Sequence, residues 1–248
     1  MEEYMQGNIS CFPEHESLCR GVAIEFVRLY QQCIFLHGEM NVALSGGGTP
    51  KNLYQLFANE YCNVLEWNKV NFYFGDERHV SMSHKDSNFN MVNNILFGPC
   101  DISKDCVYSV NTEHEPDISA SIYGETLLKN LPVQNNIPRF DLVLLGMGAD
   151  GHTASLFTTD TLRDERIVVA SYVEKLDSWR ISLNYNVLNN ANNVWVLISG
   201  AEKKSMFSQL QSNMAQNTPI SKISPRGELH WFVDEAACNE CSEKSSPR

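Results

Sequence analysis

The sequence predicts an α/β fold: a mainly parallel sheet covered by helices on both faces. Two observations predict it. Short apolar, β-prone runs alternate with helical segments along most of the chain, the order expected of a parallel sheet whose crossovers are helices. Each glycine-rich or charged motif directly follows one of those runs, and in such sheets ligands bind outside the carboxyl ends of the strands. The 248 residues, 43% hydrophobic and 20% charged, suffice for the core this requires. Residues 1–237 read as a single α/β domain and 238–248, CNECSEKSSPR, as a loose tail.

The elements follow in order. From Pro13 to about Leu36, Leu18, Val22, Phe26, Tyr30 and Ile34 recur at every fourth position, with Ala23 and Val27 beside them, the stripe of a long amphipathic helix. Asn41–Ser45 is a short strand running into GGGTP, where Thr49 is placed to cap a helix whose first turn holds Pro50 and whose apolar face is Leu53, Leu56 and Phe57. Val70–Gly75 predicts a buried strand ending on Asp76-Glu77-Arg78, and helices are predicted near Asn88–Leu96 and Ile118–Leu131. Phe140–Gly146 is the next strand. Further strands are predicted at Ile167–Val173, Arg180–Asn184, Val194–Ser199 and Leu229–Val233, with a helix from Ala201 to about Met214.

Composition narrows the function. A net charge of -11 and a pI near 5.1 disfavour nucleic acid, whose binding is dominated by phosphate neutralisation. The same charge repels a small anion unless cations are gathered locally, so a phosphate site must consist of identifiable Arg, Lys or backbone N–H groups. The opening MEEYMQGNIS lacks the basic and apolar regions of a secretory signal, and no apolar run nears the ~18 residues of a membrane span. The eight cysteines are scattered, and reduced thiols in a cytoplasmic protein are expected. Cys238 and Cys241 form one CxxC without a second pair, expected as two free thiols.

Three motifs carry chemistry. In Ser45-Gly46-Gly47-Gly48-Thr49-Pro50, backbone N–H groups at a helix N-terminus can turn towards an anion. A tight strand-to-helix turn explains the glycines equally well, but three in a row with a hydroxyl on each flank favour phosphate. Asp76, Glu77 and Arg78 are either a solvated charge cluster or, if buried at a strand end, the polar groups of a site. Gly146, Gly148 and Gly151 have the spacing of a dinucleotide loop, yet Asp150 would repel a pyrophosphate, and TTDTLRDER is too polar for the packed helix that must follow. The alternative is that the turn presents His152, with Asp150 close enough to orient the imidazole. Arg180 and Lys203, each at a strand end, are candidate anion-binding cations.

Taken together, ALSGGGTPKNLYQLF, VNFYFGDERHV, DSNFNM, FDLVLLGMGADGHTASLF, WRISL, LISGAEKK and ISKISPRGELHWFVDEAA resemble the 6-phosphogluconolactonases, in order from about residue 43 to 237. The resemblance implies a three-layer α/β/α sandwich with a mainly parallel, Rossmann-like sheet, shared with glucosamine-6-phosphate deaminase. It implies hydrolysis of 6-phospho-D-glucono-1,5-lactone to 6-phosphogluconate in the oxidative pentose phosphate pathway, with no cofactor and no metal. His152 then corresponds to the general base beside Asp150. Ser45, Gly46, Gly47, Gly48, Thr49, Arg180 and Lys203 correspond to phosphate-binding groups, and Asp76 and Arg78 to the lactone end. The expected partner is the phosphorylated sugar lactone, with neither nucleic acid nor membrane, and the expected state a monomer, a dimer being the alternative. A deaminase is disfavoured because this chain has Arg78 where deaminases have Tyr, and Phe157 where they have Glu. A non-enzymatic sugar-phosphate sensor would need neither His152 nor Arg78.

Overall fold

The computed structural model describes residues 5–238, so Cys241 and all of the expected tail except its first residue lie outside them. That first residue, Cys238, is buried against the core and is not loose.

The strands are β1 (Asn8–Phe12), β2 (Met40–Leu44), β3 (Val70–Phe74), β4 (Asp76–Arg78), β5 (Val107–Tyr108), β6 (Val133–Gln134), β7 (Ile137–Pro138), β8 (Leu142–Gly146), β9 (Val168–Val173), β10 (Ser178–Leu183), β11 (Asn193–Ile198) and β12 (Glu228–Asp234). The helices are α1 (His15–His37), α2 (Gly48–Leu56), α3 (Asn88–Val92), α4 (Pro116–Asn130), α5 (Tyr185–Leu188) and α6 (Lys204–Gln211).

Seven strands form one sheet in the order β1-β12-β11-β8-β2-β3-β5, parallel at every neighbouring pair. From β2 the chain moves outward through β3 to β5, returns to β8 beside β2, and then moves the opposite way through β11 to β12. The loops leaving β2 and β8 therefore diverge from adjacent carboxyl ends, the topological switch point where open α/β sheets bind ligands.

Strand alternation divides the core into two. Val42, Leu44, Phe72, Phe74, Leu142 and Leu144 pack with α1, α2 and α3, while Ala43, Tyr73, Val143 and Leu145 pack with α4, α5 and α6. Helices thus cover both faces, as the alternation of elements predicts.

The departures have local causes. Neither edge strand was predicted: in β1 NISCF is half polar, and β5 is two residues long; they extend the sheet by pairing with β12 and β3. The strands predicted at 167–173 and 180–184 form, but as an antiparallel hairpin that joins β4 in a separate sheet of order β4-β10-β9. Asp177, at φ 45°, turns that hairpin. Thr49 does not cap α2: the helix begins two residues earlier than that cap implies, at Gly48, and Gly47 precedes it at φ 96°, a conformation costly for any residue with a Cβ. The helix predicted over 201–214 is a 3-10 turn at Ala201–Lys203 followed by the shorter α6.

The cysteine expectation also needs correction. Cys62 and Cys100, 38 residues apart, form a disulfide with Cα atoms 5.0 Å apart. Sequence spacing gave no hint of it, because the pair meets only where the segments continuing α2 and α3 pack together. Cys19, Cys33, Cys106 and Cys238 are not in disulfides.

Candidate active site

The loop after β2 is built by close approach. The Tyr54 hydroxyl, on α2, accepts from the Ser45 N–H at 3.0 Å and donates to the Ser45 carbonyl at 2.8 Å, pinning the end of the strand. A Cβ on Gly46 would lie 2.1 Å from Asn88 Oδ1, so only glycine fits. The N–H groups of Gly48 and Thr49 open α2 and have no intrahelical acceptor, at the positive end of the helix dipole.

The loop after β8 is shaped around its histidine. The Gly148 N–H donates to the His152 carbonyl at 2.8 Å, and Thr153 Oγ1 donates to the Gly146 carbonyl at 2.8 Å. A Cβ on Gly148 would sit 2.1 Å from His152 Nδ1, and Gly151 takes φ 80°. The glycine spacing is thus accounted for by the presentation of an imidazole, and the polar segment that follows holds a 3-10 turn at Asp160–Arg163 in place of a packed helix.

His152 Nδ1 lies 2.5 Å from Asp150 Oδ1. A carboxylate only accepts, so Nδ1 carries a proton, and in the neutral ring the lone pair is on Nε2. The other Asp150 oxygen accepts from Lys175 Nζ. Partial burial pushes the Asp150 carboxyl up, but the hydrogen bonds from Lys175 and His152 outweigh burial and hold it well below the ordinary carboxylate range. On the other side of the ring, Phe157 stacks on the imidazole with centroids 4.4 Å apart, and Lys175 Nζ sits 4.6 Å from the Phe157 centroid.

The two carboxylates of the charged triplet after β3 are buried and hydrogen-bonded, while Arg78 is half-buried. Asp76 accepts from Ser155 Oγ at 2.5 Å and from Asn88 Nδ2 at 3.2 Å. Glu77 accepts from the N–H groups of Arg78, Asn88 and Phe89 and from Ser87 Oγ, so it caps α3. Burial pushes its carboxyl up, against the pull of the N–H donors. Arg78 donates to the Asp86 carbonyl at 2.7 Å and makes no carboxylate ion pair among the described residues. Arg180 pairs with Arg78 across β10 and β4; burial, then the neighbouring Arg78 charge, push its guanidinium down.

One cleft collects most of the candidates: Ser45, Gly46, Gly47, Gly48, Thr49, Asp76, Arg78, His152 and Lys203 line it together, with Ser199 among them. Asp150 stands behind His152. Arg180 differs from expectation: it lines an adjoining recess with Arg78, Val80 and Asp86 and is not part of the cleft wall. Lys203 Nζ has Glu202 at 3.9 Å as its ion-pair neighbour.

Sequence reasoning missed Asn88, Ser155, Lys175 and Ser199. Asn88 and Ser155 lie inside the blocks DSNFNM and GHTASLF but have no chemistry of their own to flag them. Lys175 reaches Asp150 from 25 residues away.

The chain matches, over residues 13–231, the family described as glucosamine-6-phosphate isomerases/6-phosphogluconolactonase. A 6-phosphogluconolactonase of a Nostoc species is 35% identical over 248 residues, covering 96% of this chain and 100% of that protein. One from Treponema pallidum is 34% identical over 204 residues, 81% of this chain and 84% of its own length. The solved structure of 6-phosphogluconolactonase from Trypanosoma brucei superposes with a TM-score of 0.84 at 28% identity, covering 94% of this chain and 98% of that one.

Proposed function

Because the chain belongs to the glucosamine-6-phosphate isomerase/6-phosphogluconolactonase family, we infer that it hydrolyses 6-phospho-D-glucono-1,5-lactone to 6-phosphogluconate in the pentose phosphate pathway. The observation that carries this reading is a juxtaposition: an anion-ready helix N-terminus and an oriented imidazole open into the same cleft from adjacent strand ends.

In this reading the substrate phosphate rests on the N–H groups of the Gly46–Thr49 loop and on Lys203. Arg180 adds positive potential from the recess behind Arg78. With the phosphate anchored, the lactone carbonyl is presented to His152 without further loss of freedom. His152 Nε2 takes a proton from water as its oxygen attacks C1. Asp150 stabilises the resulting imidazolium through Nδ1–H, and Lys175 holds the other Asp150 oxygen in place. The oxyanion formed at C1 is met by Arg78 or by N–H groups of the Gly146–Gly151 turn. Collapse of the intermediate breaks the bond between C1 and the ring oxygen, and His152 returns its proton to that oxygen. Asp76, fixed in place by the hydrogen bonds from Ser155 and Asn88, is held as an acceptor for substrate hydroxyls.

Release of ammonia from an amino sugar fits less well. The position where deaminases place a carboxylate is occupied by the Phe157 ring stacked on His152, which cannot accept or relay a proton. The substrate's phosphate charge keeps it from crossing membranes, so the site of action is the compartment in which the lactone is formed, here read as the cytoplasm.

The test generates the lactone in situ with glucose-6-phosphate dehydrogenase and follows acid release, corrected for spontaneous hydrolysis. His152→Ala is expected to lower kcat by roughly 10^2 to 10^4-fold, the usual contribution of a positioned base. A variant as fast as wild type would remove His152 from the mechanism.

A further inference from the structure

The opposite end of the sheet holds a second concentration of reactive side chains. Cys33 and His37 lie one turn apart on the last two turns of α1, so both project from the same helix face. Asp141 immediately precedes β8 and faces them. The Cys33 thiol, a His37 ring nitrogen and an Asp141 carboxylate oxygen all lie within 4.8 Å of one another, and His37 Nε2 is 3.5 Å from Asp141 Oδ1. No other group of three or more such side chains comes this close among the described residues.

We propose that Cys33, His37 and Asp141 form a binding site for a divalent ion of the zinc type, separate from the catalytic cleft.

The donor set is the mixed sulfur, nitrogen and oxygen set that Zn2+ accepts, and three protein ligands leave a fourth tetrahedral position for water. Bonds of about 2.0 to 2.3 Å to a central ion require the donors to draw together only slightly from their present spacing. The surroundings prepare the site in three ways. Asp141 is already oriented: its Oδ2 accepts from the Asn41 N–H at 2.8 Å, and Oδ1 accepts from Asn192 Nδ2 at 3.2 Å, the kind of supporting bonds that fix ligating carboxylates. Helix α1 ends at His37, with Gly38 in the left-handed conformation as its C-cap, so the negative end of the helix dipole points at the ion. Entry is open, because the His37 side chain is 42% exposed while Asp141 and Cys33 form the floor.

Charge also balances. On binding, the Cys33 thiol loses its proton to solvent and His37 coordinates through its Nε2 lone pair. One thiolate and one carboxylate then neutralise the 2+ ion, in a protein whose net charge of -11 attracts cations. Occupancy would tie the end of α1 to the start of β8. The cleft lies at the far ends of the strands, at least the length of β8 away, so hydrolysis should not depend on the ion.

The experiment uses the full chain, stripped with chelator under argon and titrated with Zn2+ by calorimetry and with Co2+ as a spectroscopic probe. One equivalent is expected, with a thiolate-to-cobalt charge-transfer band. Cys33→Ser should abolish that band, and His37→Gln should weaken Zn2+ binding at least tenfold, both with wild-type lactone hydrolysis and unchanged circular dichroism. His37→Gln is the safer variant, since an exposed ring is not needed for folding. Absence of the band in the wild-type protein, its survival in Cys33→Ser, or wild-type Zn2+ affinity in His37→Gln would each overturn the proposal.

Discussion

His152 is held from three directions, and each contact has its own consequence. Gly148 makes room for the ring, Asp150 fixes its tautomer, and Phe157 covers one face. Lys175 acts on this arrangement twice, through the Asp150 carboxylate and across the Phe157 ring. The sign for Asp150 follows from its depressed carboxyl. Its charge, and whatever stability that charge contributes, are present above the ordinary value of about 3.9 and are lost only as pH falls through the lower folded value. Asp150 therefore stays ionised throughout the neutral and mildly acid range. Lys175→Met should move the Asp150 carboxyl back towards the ordinary range and lower kcat by roughly 3 to 30-fold, well short of the loss from removing His152. Lys175→Arg should recover most of the activity. Full activity of Lys175→Met between about pH 5 and 8 would show that the ammonium has no part in orienting the base. At this scale the sequence exposed the pairing of Asp150 with His152, because two residues on one tight turn must be neighbours. Lys175 and Ser155 were hidden, since lysine and serine are common and their partners lie far off in the chain.

Elements carry these groups only because their ends are tied. Glu77 is the clearest case: a buried carboxylate accepting three backbone N–H groups and one hydroxyl, it joins β4 to the start of α3 and so places Asn88 against both Gly46 and Asp76. Replacing it by Gln puts an NH2 group where N–H donors already converge, leaving at least one buried donor without a partner. Glu77→Gln should cost roughly 1 to 3 kcal/mol. In a chain of this size that is a fall in Tm of about 2 to 4 °C per kcal/mol, measurable by calorimetry, and an unchanged Tm would contradict the capping role. The inner strands of the main sheet were legible because both their faces are buried, which makes each a nearly continuous apolar run such as VNFYF or LVLLG. β1 escaped because one of its neighbours is solvent, and the β9 and β10 hairpin because a strand's sequence does not say which sheet it joins. The Thr49 cap was misplaced for a related reason: the positive φ at Gly47 starts the helix before the residue whose side chain suits a cap.

For the whole molecule the governing fact is the reversal of strand order between β2 and β8, which brings two loops about 100 residues apart in the chain to one crevice. Alternating elements revealed the sheet, and motif positions revealed which strand ends border the cleft. The separation of Arg180 from the cleft was not readable, because it depends on β10 pairing with β4 and not with the main sheet. In a protein of net charge -11, the few cations near the cleft must carry the attraction for a phosphate. Lys203→Ala should raise KM about tenfold or more with little change in kcat, since it removes binding distant from the reacting carbonyl. Arg180→Ala should raise KM less, as befits a charge acting from the adjoining recess, and an effect larger than that of Lys203→Ala would show that Arg180 moves into the cleft when substrate binds.

Hydrolysis by His152 requires one orientation of one ligand, and a crystal soaked with 6-phosphogluconate measures it directly. The phosphate should lie on the N–H groups of Gly46–Thr49 beside Lys203, with the C1 carboxylate within hydrogen-bond reach of His152 Nε2. A phosphate bound away from that loop, or a carboxylate turned from the imidazole, would contradict it.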